Sequence, residues 1–586
     1  MRSFFKMFFA ALLALIVFCG VIFLFFSVLI GGLMFKEEAS IEARSVLFID
    51  LNKSYPDKKL INPLFELTGN IEDELPSLYE LVRMVRKAKT DSSIKGIYLK
   101  SEINRNGYAS SEELRNVLID FKNSGKFVLA YGDYITQQAY HVANVADRVY
   151  INPKGMFDWT GFAVEYVYFK NLLKRLEIEP QIFYDGKFKS ATEPFREEKM
   201  TEENRIQTTV WLGDVYNRFL SNTAYSRSLD TAALRKYADT YMIQTVKAAV
   251  DFKLIDGLRY DDEVKQEIKK KLKIGKDDKI NFVTPGSYMH TRSVREYGKD
   301  KVAVIYAEGE IVDGKGEEGQ VGSDTYRNLI RKVRYNDNVK AIVLRVNSPG
   351  GSSLASEVIW RELMMAKKDG KPVVVSMGDV AASGGYYIAC MADSIFAQPN
   401  TITGSIGVFA MIPNMESFFK NKLGVTFDRV KTGAYADAMS ISKPLNAQEK
   451  RIIQNQVDII YADFKGRVAE GRKLDTAYVD SIAQGRVWTG MRAGKIGLVD
   501  RIGGLDDAIR SASKLAGMKE YNVSEYPEPK SLFDDLFGPY VNNASASVLE
   551  RELGGPENVK LFKQVKRLKE SFGTIQARLP FDWNWK

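Results

Sequence analysis

Residues 378–407 read GDVAASGGYYIACMADSIFAQPNTITGSIG, and residues 132–161 read GDYITQQAYHVANVADRVYINPKGMFDWTG. Laid over each other without a gap, they match Gly132-Asp133 with Gly378-Asp379 and Tyr140 with Tyr386. Ala143 matches Ala389, Ala146-Asp147 matches Ala392-Asp393, Pro153 matches Pro399 and Gly161 matches Gly407. Each pair is 246 positions apart (393 − 147 = 246, 407 − 161 = 246). One constant shift over so many positions marks a tandem duplication. The positions that break the match are the informative ones. Ser405 stands opposite Trp159, and further along Lys189 in Gly186-Lys187-Phe188-Lys189 faces Ala436 in Gly433-Ala434-Tyr435-Ala436. One copy keeps a hydroxyl and the other an amine, which together make one serine–lysine site.

Outward from these stretches, each copy reads as short apolar strands alternating with amphipathic helices. The first gives strands at Ser45–Leu51, Ile94–Lys100 and Phe127–Tyr131, with helices at Leu78–Lys89 and Ser111–Asn123. The second gives strands at Val302–Ala307, Ala341–Val346 and Val373–Met377, with helices at Thr325–Val333 and Ala355–Lys367. This alternation predicts parallel βαβ units and an α/β fold. Continuous apolar runs such as Ala341-Ile342-Val343-Leu344 suit strands buried on both faces. The expected organisation is an anchor (1–40), a first repeat (41–262), a lysine-rich connector (263–300), a second repeat (301–524) and a tail (525–586). The basic stretch Glu557–Phe572 in the tail reads as an amphipathic helix packed on its own domain.

A chain of 586 residues, 45% apolar and 27% charged, is an ordinary multi-domain globular protein. Its net charge of +9 is mild for its length, and no arginine-rich arm or zinc spacing points to nucleic acid. Two cysteines, Cys19 and Cys390, offer neither a disulfide framework nor a metal site, and no cofactor is expected. Met7–Phe35 is almost continuously apolar, preceded by Arg2 and Lys6 and closed by Lys36-Glu37-Glu38. A bilayer-spanning helix needs about 20 apolar residues. The run therefore reads as an uncleaved transmembrane anchor with its N-terminus in the cytoplasm and the rest of the chain outside it.

Ser405 lies between glycines in Thr403-Gly404-Ser405-Ile406-Gly407-Val408, which permits a tight turn and an accessible hydroxyl. The same copy carries Asn347-Ser348-Pro349-Gly350-Gly351-Ser352 directly after a buried strand, and the first copy has Ile103-Asn104-Arg105-Asn106-Gly107 there instead. Backbone N–H groups at Gly350 and Gly351 can stabilise an oxyanion, with Gly384-Gly385 at the start of the next helix as a rival pair. The serine needs a base. The chain has only two histidines: His141 matches Tyr387, a helix-packing position, and His290 falls in the connector. A lysine is the economical alternative, provided its pKa falls from ~10.4 to about 7–8, a shift worth roughly 4 kcal/mol. Lys189 is favoured over Lys187 because Ala436, its counterpart, is small and apolar, as an inward-pointing position would be. Thr432 and Ser190 are candidates for the hydroxyl that orients the amine.

Four motifs, at 187–195, 348–352, 382–387 and 403–408, together resemble the long, duplicated signal peptide peptidases (protease IV type) of peptidase family S49. The resemblance runs from the anchor to about residue 520. It implies two domains of the Clp protease/crotonase-like fold in tandem after the transmembrane helix, with Ser405 as nucleophile and Lys189 as general base. It also implies signal peptides as substrates, a bacterial inner-membrane location with the catalytic part extracytoplasmic, contact with membrane lipid and a homotetramer. Two other classes fit parts of the pattern: a crotonase-like acyl-CoA enzyme and a non-catalytic membrane scaffold. The anchor and the Ser405/Lys189 pair argue against the first. The second gives no reason for a serine beside a Pro-Gly-Gly loop in one copy alone.

Overall fold

The computed structural model describes residues 2–34, 41–59, 75–289, 299–528 and 575–579. Two mainly parallel sheets dominate it, one per repeat. The first contains β1 (Ser45–Asp50), β2 (Ile94–Lys100), β3 (Phe127–Ile135), β4 (Arg148–Phe157), β6 (Gly257–Leu258) and β7 (Phe282–Val283), in the order β6-β4-β3-β2-β1-β7. Between β4 and β6 the chain makes β5 (Glu179–Asp185), which leaves this sheet altogether. The second repeat supplies β8 (Lys301–Glu308), β11 (Val339–Ser348), β13 (Val373–Ala382), β15 (Ile402–Gly404), β17 (Val487–Thr489) and β19 (Asn522–Tyr526). Their order is β17-β15-β13-β11-β8-β19, with β14 (Ser394–Ala397) and β18 (Arg501–Ile502) continuing from β13. The series β3-β2-β1-β7 and β13-β11-β8-β19 are the same connection written twice. Their strands are buried apolar runs, because helices cover both faces.

A third sheet joins the repeats. It runs β10 (Gln320–Gly322), β9 (Glu310–Val312), β12 (Gly350–Ser352), β20 (Ile575–Arg578), β16 (Val408–Asn414), β5. β5 comes from the first repeat and lies antiparallel to β16 of the second, from Val408 opposite Asp185 to Asn414 opposite Glu179. This register has a direct consequence. The residues that follow Asp185 must run alongside the residues that precede Val408, so Lys189 and Ser405 are brought to the same end of the ladder.

Buried charge also holds the repeats together. Arg345 on β11, 1% exposed, sits 2.8 Å from Asp57 and 2.8 Å from Glu113, both of the first repeat. Its Nη1 also donates to Ser376 Oγ at 2.8 Å. Asp379, within β13, accepts from the backbone N–H of Ala109 (2.9 Å) and of Ser110 (3.1 Å) and from Ser110 Oγ (2.6 Å). Those N–H groups open the helix Tyr108–Lys122, whose unpaired amides favour a carboxylate.

The first element of the chain is the 33-residue helix Arg2–Met34. Its described side chains extend only to Val21 and are exposed. Among the described residues no helix is long and apolar enough to cross a membrane. The tail helix expected at Glu557–Phe572 and His290 lie outside the described residues.

Removing one partner from a buried ion pair leaves uncompensated charge and costs about 3–5 kcal/mol. Arg345→Ala is therefore expected to lower the thermal unfolding midpoint by several degrees. A midpoint equal to that of the exposed control Arg361→Ala would refute the role given to this cluster.

Candidate active site

Ser405 follows β15 in the left-handed backbone region, with φ 50°. A non-glycine residue there is strained and needs support from its surroundings. That support comes from short bonds on both sides. Ser405 N donates to Arg486 O at 2.7 Å, Ser383 N donates to Gly404 O at 2.8 Å, and Gly485 N donates to Ile406 O at 2.7 Å. The strain turns the Ser405 side chain out of the β15–β16 path and towards the end of β5.

Lys189 occupies that place. It is 1% exposed, and its Nζ lies 2.9 Å from Ser383 Oγ, 3.2 Å from Ser405 Oγ and 3.3 Å from the Ser405 carbonyl oxygen. Burial pushes the ammonium pKa well below the ordinary lysine value, with no carboxylate among the described residues to hold the proton on. A neutral amine has two N–H donors and one lone pair. The Ser405 carbonyl can only accept, so it takes one N–H. Ser383 Oγ lies 3.4 Å from Gly407 O, to which its own proton is donated, so it accepts the second N–H. The lone pair is then left for the Ser405 hydroxyl.

The surrounding loops fix the lysine main chain. Phe188 N donates to Gln484 O at 2.8 Å, and Gln207 Nε2 donates to Phe188 O and Ser190 Oγ, both at 3.0 Å. Gln207 Oε1 accepts from Val487 N at 3.2 Å, on the strand that pairs with β15. Gln207 thus ties the lysine loop to the serine's own sheet. Gly485 is needed for the close approach, since a Cβ there would lie 2.6 Å from Lys189 Cβ.

Gly350 and Gly351 form β12 beside this pair, with φ of 99° and 157°. Gly350 N donates to Ser348 Oγ at 3.2 Å. The rival pair Gly384-Gly385 is not elsewhere: a Cβ built on Gly350 would fall 2.7 Å from Gly384 N, so both glycine pairs converge.

The orienting hydroxyl is a point the sequence reading missed. Thr432 is exposed in a turn, and Ser190 accepts from Gln207. The partner of Lys189 is Ser383. The repeat comparison carried a signal for it, because Ser383 stands opposite Gln137 (383 − 137 = 246). In the first repeat Gln137 fills the equivalent space, accepting from Thr160 N at 3.0 Å and Gly161 N at 2.9 Å. Trp159 closes it further: it is buried against Tyr140, Phe157 and Phe219, and its Nε1 donates to Leu234 O at 3.0 Å. The argument from Ala436 needs correction. Ala436 is exposed, so its small size says nothing about an inward-pointing position, although Lys189 itself is buried. Lys187 is exposed and lies over the Phe188 ring, and His141 is buried against Glu112 in the first repeat.

Residues 120–275 and 365–519 match Peptidase family S49. The chain is 36% identical to Protease 4 of Salmonella typhi over 524 residues, covering 87% of this chain and 84% of that protein. It is 34% identical to Protease 4 of Haemophilus influenzae, covering 86% and 84%. It is 31% identical to the chloroplastic serine protease SPPA of Arabidopsis thaliana, covering 80% and 72%. The solved structure of a ClpP1 point mutant from Listeria monocytogenes overlies 35% of this chain and 94% of its own, with 16% identity and a TM-score of 0.24. The chain belongs to peptidase family S49 and is a serine protease.

A lysine with a folded-state pKa below its unfolded value binds fewer protons folded than unfolded in the window between the two. Stability therefore rises with pH across that window, by about 1.4 kcal/mol per unit, and is lost as pH falls from ~10.4 towards the depressed value. Lys189→Met removes this penalty. Its thermal midpoint relative to the parent is expected to be most favourable below the depressed pKa and to decline as pH rises towards ~10.4. A difference that does not change with pH would contradict a neutral buried amine.

Proposed function

We propose that Ser405 and Lys189 form the catalytic dyad of a membrane-anchored endopeptidase that degrades signal peptides. The observation that carries this reading is the buried Lys189 amine 3.2 Å from Ser405 Oγ, with its two N–H groups committed elsewhere. Lys189 takes the Ser405 proton as the oxygen attacks a peptide carbonyl, and the protonated amine then gives that proton to the leaving nitrogen. Water activated by Lys189 hydrolyses the acyl-enzyme. The oxyanion is held by backbone N–H groups of the Gly350–Gly351 strand. Because the Gly350 N–H is given to Ser348, Gly351 is the better donor. Ser383 acts as a positioning residue, setting the amine's orientation.

Signal peptides fit as substrates because they are apolar and are left in the membrane, where the apolar sequence run Met7–Phe35 would hold the enzyme. The N-terminus would then lie in the cytoplasm and the catalytic repeats outside it, at a bacterial inner membrane. A homotetramer is part of the same reading, supported by the resemblance to the long S49 peptidases alone.

Hydrolysis of a leucyl peptide ester tests the dyad. Ser405→Ala and Lys189→Ala are each expected to lower kcat/KM by at least about 10³-fold, and the double variant is expected to be no worse than either, because the two act as a unit. A folded single variant with parental turnover would rule out the dyad. A chain starting at residue 41 is expected to leave the membrane fraction, and its retention there would remove the anchor.

A further inference from the structure

Arg486 immediately precedes β17, and its main chain already supports the dyad. Its carbonyl oxygen accepts from Ser405 N at 2.7 Å, and a Cβ on its neighbour Gly485 would lie 2.6 Å from Lys189 Cβ. Its side chain has a setting of its own. The guanidinium carbon lies 4.5 Å from the centre of the Trp488 ring and 5.0 Å from the centre of the Phe188 ring, the residue before Lys189. Both distances are within cation–π reach. Two rings, one from each repeat, therefore hold a half-buried guanidinium beside the Ser405–Lys189 pair. A second cation shares the shelf: Lys187 Nζ is 5.4 Å from the same Phe188 ring.

No carboxylate pairs with Arg486 among the described residues, and the charge that faces it is another cation, Arg492. Arg492 has its own carboxylate, Asp214, at 2.9 Å. Desolvation, and then Arg492, push the Arg486 pKa below the ordinary arginine value, which is high enough that the group stays charged. The first repeat shows what the fold itself needs here. Thr245 and Thr489 each cap the helix that follows, and Val149 N and Ile395 N donate to Asp256 and Asp500 at 2.8 Å and 2.7 Å. Both pairs are 244 positions apart (489 − 245 = 244, 500 − 256 = 244). The same shift sets Arg486 opposite Met242 and Trp488 opposite Gln244, both exposed. The copy without the serine thus has neither the cation nor the tryptophan beneath it. A residue that merely covered the start of β17 would need no charge, as Met242 shows.

A guanidinium held in place presents a planar fork of N–H donors that matches the two oxygens of a carboxylate. We propose that Arg486 binds a carboxylate of the peptide substrate and so selects where along the peptide the bond is cut. An extended chain spans about 3.3–3.6 Å per residue, so a carboxylate held here lies roughly two to three residues from the bond that Ser405 attacks. Two groups carry this chemistry: the free C-terminal carboxylate of a peptide, and an aspartate or glutamate side chain. Lys187 adds attraction without fixing orientation, as a flexible ammonium does. The proposal rests on the Ser405–Lys189 reading of the site.

The test uses an N-terminally labelled peptide with one leucine, ending two or three residues beyond it, in three forms: C-terminal acid, C-terminal amide, and amide with glutamate as the last residue. In the full-length parent the acid is expected to show a KM lower than the amide's by about tenfold or more. A glutamyl amide that matches the acid assigns the subsite to acidic side chains as well, and one that matches the plain amide assigns it to the free C-terminus. If only the glutamyl amide is favoured, the subsite reads side chains alone. In Arg486→Met the three KM values are expected to fall within about twofold of one another, and Arg486→Lys is expected to keep part of the preference, having the charge without the fork. Arg486→Gln replaces Arg486→Met if the latter does not fold, and the comparison in the parent stands in either case. Equal KM for all three peptides in the parent, or a preference that survives in folded Arg486→Met, overturns the proposal. Ser405→Ala separates this from failure of the dyad. An inactive Ser405→Ala enzyme together with equal KM values in the parent sinks only the carboxylate subsite, whereas an active Ser405→Ala enzyme sinks the site itself.

Discussion

A buried amine with no counter-charge beside it among the described residues is the constraint on which the rest of this structure turns. Lys189 is enclosed by the loops 186–189 and 484–486 and by the ends of β13 and β15, and burial alone favours its neutral form. A buried charge with no partner is costly, so the fold gains by keeping the proton off. The same burial that depresses the pKa makes the lone pair available to the nearest hydroxyl. The strained backbone at Ser405 and the committed proton of Ser383 then determine which hydroxyl that is.

The pairing depends on a strand that changes allegiance. β5 leaves the sheet of its own repeat and pairs with β16 of the other, and its register delivers the following loop to Ser405. The ion cluster at Arg345 and the carboxylate of Asp379 also hold the repeats together, and Gln207 locks the loop locally. One Ser405–Lys189 pair per chain follows from this geometry. In the first repeat the corresponding positions carry the buried Trp159 ring and the Gln137 amide.

The alternating strands and helices were legible because both sheets are buried on two faces, which writes them as continuous apolar runs. Ser405 and Lys189 were legible because a duplication supplies its own control: a residue kept in one copy and replaced in the other is not needed by the fold. The limits of that control are physical. Ala436 belongs to an exposed turn, so its comparison with Lys189 carried no information about burial, which only the fold shows. Ser383 was visible in the same alignment opposite Gln137, but its role depends on a hydrogen bond across 194 positions, which no local pattern expresses. The strand at Ile575–Arg578 is four residues long and is defined by partners more than 150 positions away, so neither its period nor its flanks announce it.

The pH dependence of Ser405 phosphonylation by a serine-reactive phosphonate, followed by peptide mapping, tests the central claim most directly. Labelling is expected to rise with pH through a single ionisation well below the ordinary lysine value of ~10.4, and that limb is expected to vanish in Lys189→Ala. A limb that persists in Lys189→Ala, or one that appears only near ~10.4, would contradict the account.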